Sequence, residues 1–128
     1  MNYIVNFLTF TFITLIVTAN VSAKRRAPSV VTPVQNAGLE YRVPHKMIGC
    51  VEAWDTATKK RSWFRQIYVV RRNPSLESDV QDVFISRIRL DNKRNILEIT
   101  NELGFPYAFD LRTLEARTVK GKPVVTIK

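Results

Sequence analysis

From Met47 onward, apolar and polar residues alternate with a period of two, the spacing that sends successive side chains to opposite faces of a β-strand. Val51 and Ala53 fall on one face, and Cys50, Glu52 and Trp54 on the other. A second strand runs from Trp63 to Arg71, with Phe64, Gln66, Tyr68 and Val70 opposite Trp63, Arg65, Ile67, Val69 and Arg71. Its β-branched and aromatic residues suit a pleated, half-buried surface. Val83 to Leu90 repeats the alternation, Asp91 to Asn95 reverses the chain, and Ile96 to Asn101 returns, which predicts a hairpin. Tyr107 to Asp110, Leu114 to Val119 and Val124 to Ile127 complete the later strands, and Leu39 to Val43 precedes them all, ended by Pro44. Asn73 to Asp82 is polar and opens on a turn dipeptide, so it reads as a loop or a single helical turn from Ser75. No amphipathic helix is evident. The expected class is all-β: a small antiparallel meander or sandwich of about seven or eight short strands.

Two of the reversals are alike. Ala53-Trp54-Asp55-Thr56-Ala57-Thr58 and Ala108-Phe109-Asp110-Leu111-Arg112-Thr113 lie 55 positions apart, and Gly49 and Gly104 fall on the same offset. An Asp at the start of a reversal can accept the backbone N–H groups just after it and hold the turn closed, and a Thr does so more weakly. Asp55, Thr58, Asp110 and Thr113 are therefore expected to be structural turn residues.

The first of these stretches, Ala53-x-Asp55-x-x-Thr58 followed by Trp63, resembles the repeat of PQQ-type quinoprotein β-propellers, Ala-x-Asp-x-x-Thr-Gly-x-x-x-Trp. Lys59 stands at the Gly position, and in the second copy Leu114 replaces the Gly and Thr118 the Trp. Glycine there supplies a positive φ that Lys and Leu adopt only at a cost. The likeness covers two short stretches. It implies blade-like hairpins, but a propeller needs about four blades to close, and it brings with it neither a quinone nor dehydrogenase activity.

Composition sets compartment and charge. Residues Ile4 to Ala19 are apolar but for one Asn and several Thr, and Val21-Ser22-Ala23 places small residues before Lys24, as at the cleavage site of a secretory signal peptide. The expected layout is a signal peptide over 1–23, a flexible linker over 24–38 and a single β domain over 39–128. The expected location is secreted or periplasmic. The alternative is a single-span anchor, since the segment carries no basic residue ahead of the apolar run and Lys24-Arg25-Arg26 directly behind it. The formal net charge is +9. Residues 24–72 hold 11 Lys and Arg against 3 Asp and Glu, whereas residues 73–128 hold 9 against 8. Such an excess draws anionic partners through a salt-sensitive field.

Catalytic chemistry finds little footing. His45 and Cys50, the single residues of their types, are separated by an odd number of positions, which on an extended chain sends them to opposite faces rather than into a nucleophile and base pair. One His and one Cys cannot close a zinc site, and one cysteine cannot form an internal disulfide. Glu77, Asp79 and Asp82 lack the spacing and the glycine of a calcium loop. No glycine-rich loop offers to cradle a phosphate. No catalytic residue, metal ligand or cofactor is assigned.

Binding is better supported. Arg65 and Arg71 on one expected strand, Arg87 and Arg89 on another, and Lys59, Lys60 and Arg61 in the first reversal are expected to form a basic face, interleaved with Trp63 and Tyr68. Guanidinium groups beside aromatic rings hold anionic polymers. The expectation is an exported, non-enzymatic binding or interaction module for an anionic polymer or an acidic protein surface. One alternative is a membrane-anchored basic domain that meets nucleic acid or anionic lipid, with the membrane a partner only if the leading segment is retained. Another is a small hydrolase built on a carboxylate pair.

Overall fold

A computed structural model describes residues 27–118. The apolar run of residues 4–19 and the expected strand Val124 to Ile127 lie outside the described residues. Eight strands form two antiparallel four-stranded meanders. The first sheet joins β1 (Val34–Asn36), β2 (Leu39–Arg42), β3 (Cys50–Asp55) and β4 (Arg61–Gln66) in sequence order. The second joins β5 (Ile85–Asp91), β6 (Ile96–Asn101), β7 (Pro106–Asp110) and β8 (Glu115–Thr118). The protein is thus all-β, and the two sheets do not close into a propeller.

Strand alternation dictates one core between the sheets. In the first sheet Tyr41, Ala53 and Trp63 stand in register across three strands. In the second, Leu97 pairs with Phe109 and Ile99 with Tyr107. Tyr41, Val51, Ala53, Ile88, Leu97, Ile99 and Phe109 join a single buried cluster, with Trp63 and Tyr107 packed against it. Trp63 sits between Tyr41 and Phe109, ring centroids 5.8 and 5.4 Å away, and so ties one sheet to the other. Removing a side chain such as Phe109 from water contributes about 1.5–3 kcal/mol.

The connections depart from simple alternation in four places. The second expected strand stops at Gln66 rather than continuing to Arg71. There the backbone N–H of Ile67 turns to the carbonyl of Gly49 at 2.7 Å, and the chain leaves the sheet with Ile67 and Tyr68 both buried. The Tyr68 hydroxyl donates to the carbonyl of Val83 at 2.7 Å, and its ring stacks on Tyr107 at 5.0 Å. Gly49 permits this crossing, since a Cβ there would lie 2.4 Å from the Tyr68 carbonyl oxygen. Residues 73–82 form a loop with one 3-10 turn, Asp79–Gln81. The Gln81 amide holds it by donating to the carbonyls of Asn73, Leu76 and Glu77 at 3.0, 3.1 and 3.0 Å. Val34–Asn36, inside the stretch expected to be linker, is β1. A register shift between Ile85 and Arg87 turns both Ile85 and Ile88 inward, with the Ser86 hydroxyl donating to the carbonyls of Thr100 and Asn101 at 3.1 Å each.

The Asp reversals share one construction. Asp55 Oδ1 accepts the N–H groups of Ala57 and Thr58 at 2.9 and 2.8 Å, and Asp110 Oδ1 those of Arg112 and Thr113 at 2.8 and 3.3 Å. Asp91 does the same with Lys93 and Arg94 at 3.1 and 3.2 Å. Four positions after each Asp, the backbone is left-handed: φ is 57° at Lys59, 56° at Asn95 and 57° at Leu114. Lys59 and Leu114 therefore hold a conformation that glycine takes freely, at a local cost of about 1 kcal/mol or more each.

Candidate functional site

The two sheets leave two outward faces, and these differ. On the second sheet the outward rows are Arg89–Glu98–Ala108–Arg117 and Arg87–Thr100–Pro106, read across the registered strands. They enclose an open groove of about 430 Å³ whose floor includes Thr100 and Ala108 and whose lining includes Arg87, Arg94, Glu98 and Arg117. The Asp91 reversal supplies Arg94. Its guanidinium reaches Asp91 at 2.6 Å and Glu98 at 3.0 Å. Glu98 also takes Arg89 at 2.7 Å, and Arg117 reaches Glu115 at 3.6 Å. Arg87 makes no ion pair among the described residues. The hydrogen bond from the Arg94 guanidinium holds the Asp91 carboxyl below the usual range, so this ion pair is formed at neutral pH.

The first sheet's outward face is closed by its own pairings. Its rows are Glu40–Trp54–Arg61 and Arg42–Glu52–Phe64. The Arg42 guanidinium lies 5.2 Å from the Trp54 ring and pairs with Glu40, which also accepts the Gln35 amide at 2.7 Å. These two hydrogen bonds, Gln35 first, hold the Glu40 carboxyl below its ordinary value. Arg61 lies 5.4 Å from the Phe64 ring and reaches Glu52 at 3.5 Å. The Trp54 indole N–H is buried and has no hydrogen-bond partner.

The residues expected to form one basic face are dispersed. Arg87 and Arg89 share the outward face of β5. Arg61 begins β4 on the outward face of the other sheet, following Lys59 and Lys60 in the reversal. Arg65 stands in register with Val51, on the opposite side of β4 from Phe64, and donates to the Phe64 carbonyl at 2.8 Å. Arg71 lies in the connection between the sheets. Trp63 and Tyr68 are not on a wet face at all: Trp63 packs on the core and Tyr68 is buried. Both rings pack into the single core between the sheets, so they fill the interior rather than wait for a ligand. Arg94 and Arg117 belong to the groove and were not singled out by the sequence. Their signal was local, an Arg three residues after a turn Asp and an Arg two after Glu115 on an exit strand, but the sequence does not say which face they share.

Nothing in the described site suggests a nucleophile. Cys50 is buried, its thiol donating to the Ile48 carbonyl at 3.5 Å, and burial pushes that thiol up. Among the described residues no three His, Cys, Asp or Glu side chains gather to hold a metal ion. No protein family model matches the chain, and no curated protein and no solved structure is found to be similar to it.

Proposed function

We propose that this protein is an exported, non-enzymatic binding module whose second sheet offers an arginine-rimmed groove to an anionic partner. The observation that carries the reading is Arg87, a guanidinium with no ion pair among the described residues at the edge of a groove shared with Arg94 and Arg117. A guanidinium offers a rigid fork of donors to a carboxylate or phosphate, and here it does so over a floor with a methyl at Ala108 and a hydroxyl at Thr100. The basic excess would steer such a partner in from solution. The apolar run and small-residue site at the start of the sequence support export. The likeness of the Asp55 and Asp110 reversals to propeller repeats enters only as scaffolding, without the quinone.

The test is titration of the purified protein with polyglutamate and with polyphosphate at low and moderate salt. The reading expects binding that falls steeply as the Debye length shrinks from about 30 Å near 0.01 M to about 8 Å near 0.15 M salt. Arg87→Glu combined with Arg89→Glu should weaken it by about tenfold or more, equivalent to ~1.4 kcal/mol. Unchanged affinity in that folded variant would remove the groove as the site. Intact mass of the protein from its native host should show a start at Lys24.

A further inference from the structure

The outward face of the second sheet is graded along its strands. Nearest the Asp91 and Asp110 reversals, the row across the four strands reads Asp91–Ile96–Asp110–Glu115. The next row reads Arg89–Glu98–Ala108–Arg117, and the third Arg87–Thr100–Pro106. Long guanidinium side chains therefore stand on the outer strands β5 and β8, while the inner strands β6 and β7 set the short side chains of Thr100, Pro106 and Ala108 between them. Glu98 interrupts that floor, yet both its oxygens are engaged: Oε2 accepts from Arg89 at 2.8 Å and Oε1 from Arg94 at 3.0 Å. That leaves two guanidinium groups for a ligand. They are Arg87, with no ion pair among the described residues, and Arg117, met only by Glu115 at 3.6 Å.

An anionic chain running lengthwise along the strands would leave this pair of charges and enter the row of Asp91, Asp110 and Glu115. A chain lying crosswise meets Arg87 at one edge and Arg117 at the other. Three strand spacings of about 4.8 Å separate those edges, roughly 14 Å in all. The floor narrows the class of chain further. Tyr107 is the one aromatic residue of the lining, and its ring is stacked on Tyr68 and packed against the core, so no ring is offered to a nucleic acid base. Ala108 and Pro106 present methyl and methylene groups, which suit a chain with apolar carbon between its charges and not a bare polyphosphate. We infer that the groove's partner is an extended acidic peptide crossing the strands, with two carboxylates about four residues apart, one on Arg87 and one on Arg117. At about 3.3 Å per residue, side chains i and i+4 of an extended chain share a face and lie about 13 Å apart, which matches the span. Carboxylates on adjacent residues point to opposite faces and cannot serve both edges. This rests on the anion reading of the groove given above and adds the ligand's class, direction and charge spacing.

Two capped pentapeptides of equal composition, Glu-Thr-Thr-Thr-Glu and Glu-Glu-Thr-Thr-Thr, test the spacing by competing with labelled polyglutamate for the full chain. Their equal charge cancels the general basic field, and the threonines favour extended backbone in both. The spaced peptide should compete about tenfold more tightly or better, and Arg117→Gln should bring the two within about twofold by weakening the spaced one alone. Arg117 is 59% exposed on an edge strand, so this variant keeps the fold. Equal competition by the two peptides, no competition by either, or a preference that survives Arg117→Gln would overturn the inference. So would polyphosphate that binds more tightly than polyglutamate at equal charge. The anion site is read separately: polyglutamate binding that Arg87→Glu with Arg89→Glu weakens would leave it standing even where the two pentapeptides compete alike, and no polyglutamate binding would remove both.

Discussion

The hairpin β3–β4 and the hairpin β7–β8 are built alike and buried differently. Each has an Asp that caps its reversal and a left-handed residue four positions on. Yet the aromatic residue before the Asp is solvent-side in the first and core in the second. The difference shows that local sequence sets the turn while the neighbouring sheet decides which side of the strand is interior. Equivalent substitutions in the two hairpins should therefore have unequal effects, and the inequality can be measured.

The largest contrast is at the paired aromatics. Phe109→Ala should cost about 3–5 kcal/mol in urea unfolding, whereas Trp54→Ala, which loses chiefly the contact with Arg42, should cost about 1–2 kcal/mol. Equal losses would mean that the outward face of the first sheet is as tightly packed as the core. Next come the paired glycines. Gly49→Ala meets a carbonyl oxygen at 2.4 Å with φ at +69°, while Gly104→Ala meets nothing within 4 Å at φ +79°. The first should lose about 3 kcal/mol or more and the second about 1, the backbone strain alone.

A smaller effect should change sign between the hairpins. Lys59→Gly relieves a left-handed Lys with an exposed side chain and should stabilise by about 0.5–1 kcal/mol, net of the extra freedom glycine gives the unfolded chain. Leu114→Gly relieves the same strain but deletes a side chain packed against the core, so it should destabilise by about 1 kcal/mol. Matching signs would show that Leu114 contributes no packing.

The smallest effect is in acid. The backbone N–H of Thr58 first, then that of Ala57, holds the Asp55 carboxyl below its ordinary value, and those of Arg112 and Thr113 do the same for Asp110. A depressed folded value means stability that is present above the unfolded carboxylate value near 3.9 and is lost as pH falls through the folded one. Asp55→Asn keeps an oxygen for the turn and removes the titration. Its Tm should stay close to wild type at pH 7 and fall less than wild type below about pH 4. Asp110→Asn should behave alike, because the same contacts cause both shifts.

Much of this fold is written in the alternation. β6 spans Ile96–Asn101, the extent that its apolar positions indicate, because Leu97 and Ile99 must face one core. β1 was hidden because three residues, Val-Gln-Asn behind a proline, carry no periodicity, and their pairing with β2 supplies what the pattern lacks. The strand from Arg61 was overextended because Ile67 to Val70 are as apolar as any strand, and nothing local announces that Gly49 will draw the backbone away. The groove was harder still. Its arginines, Arg94, Arg87 and Arg117, come from a turn, from β5 and from β8, and only the register of four strands sets them on one side. The aromatic residues misled for the converse reason, since Trp63 and Tyr68 look the same in a binding face and in an interior.

Cys50 offers a use of its own. It is the chain's single cysteine and is 3% exposed, held in the strand that borders Tyr41 on one side and Trp63 on the other. A thiol reagent can reach it only when that part of the first sheet opens, so the rate of alkylation under native conditions counts those openings. The protein thus carries its own clock for local breathing, ticking at one known atom and readable by mass without any added label.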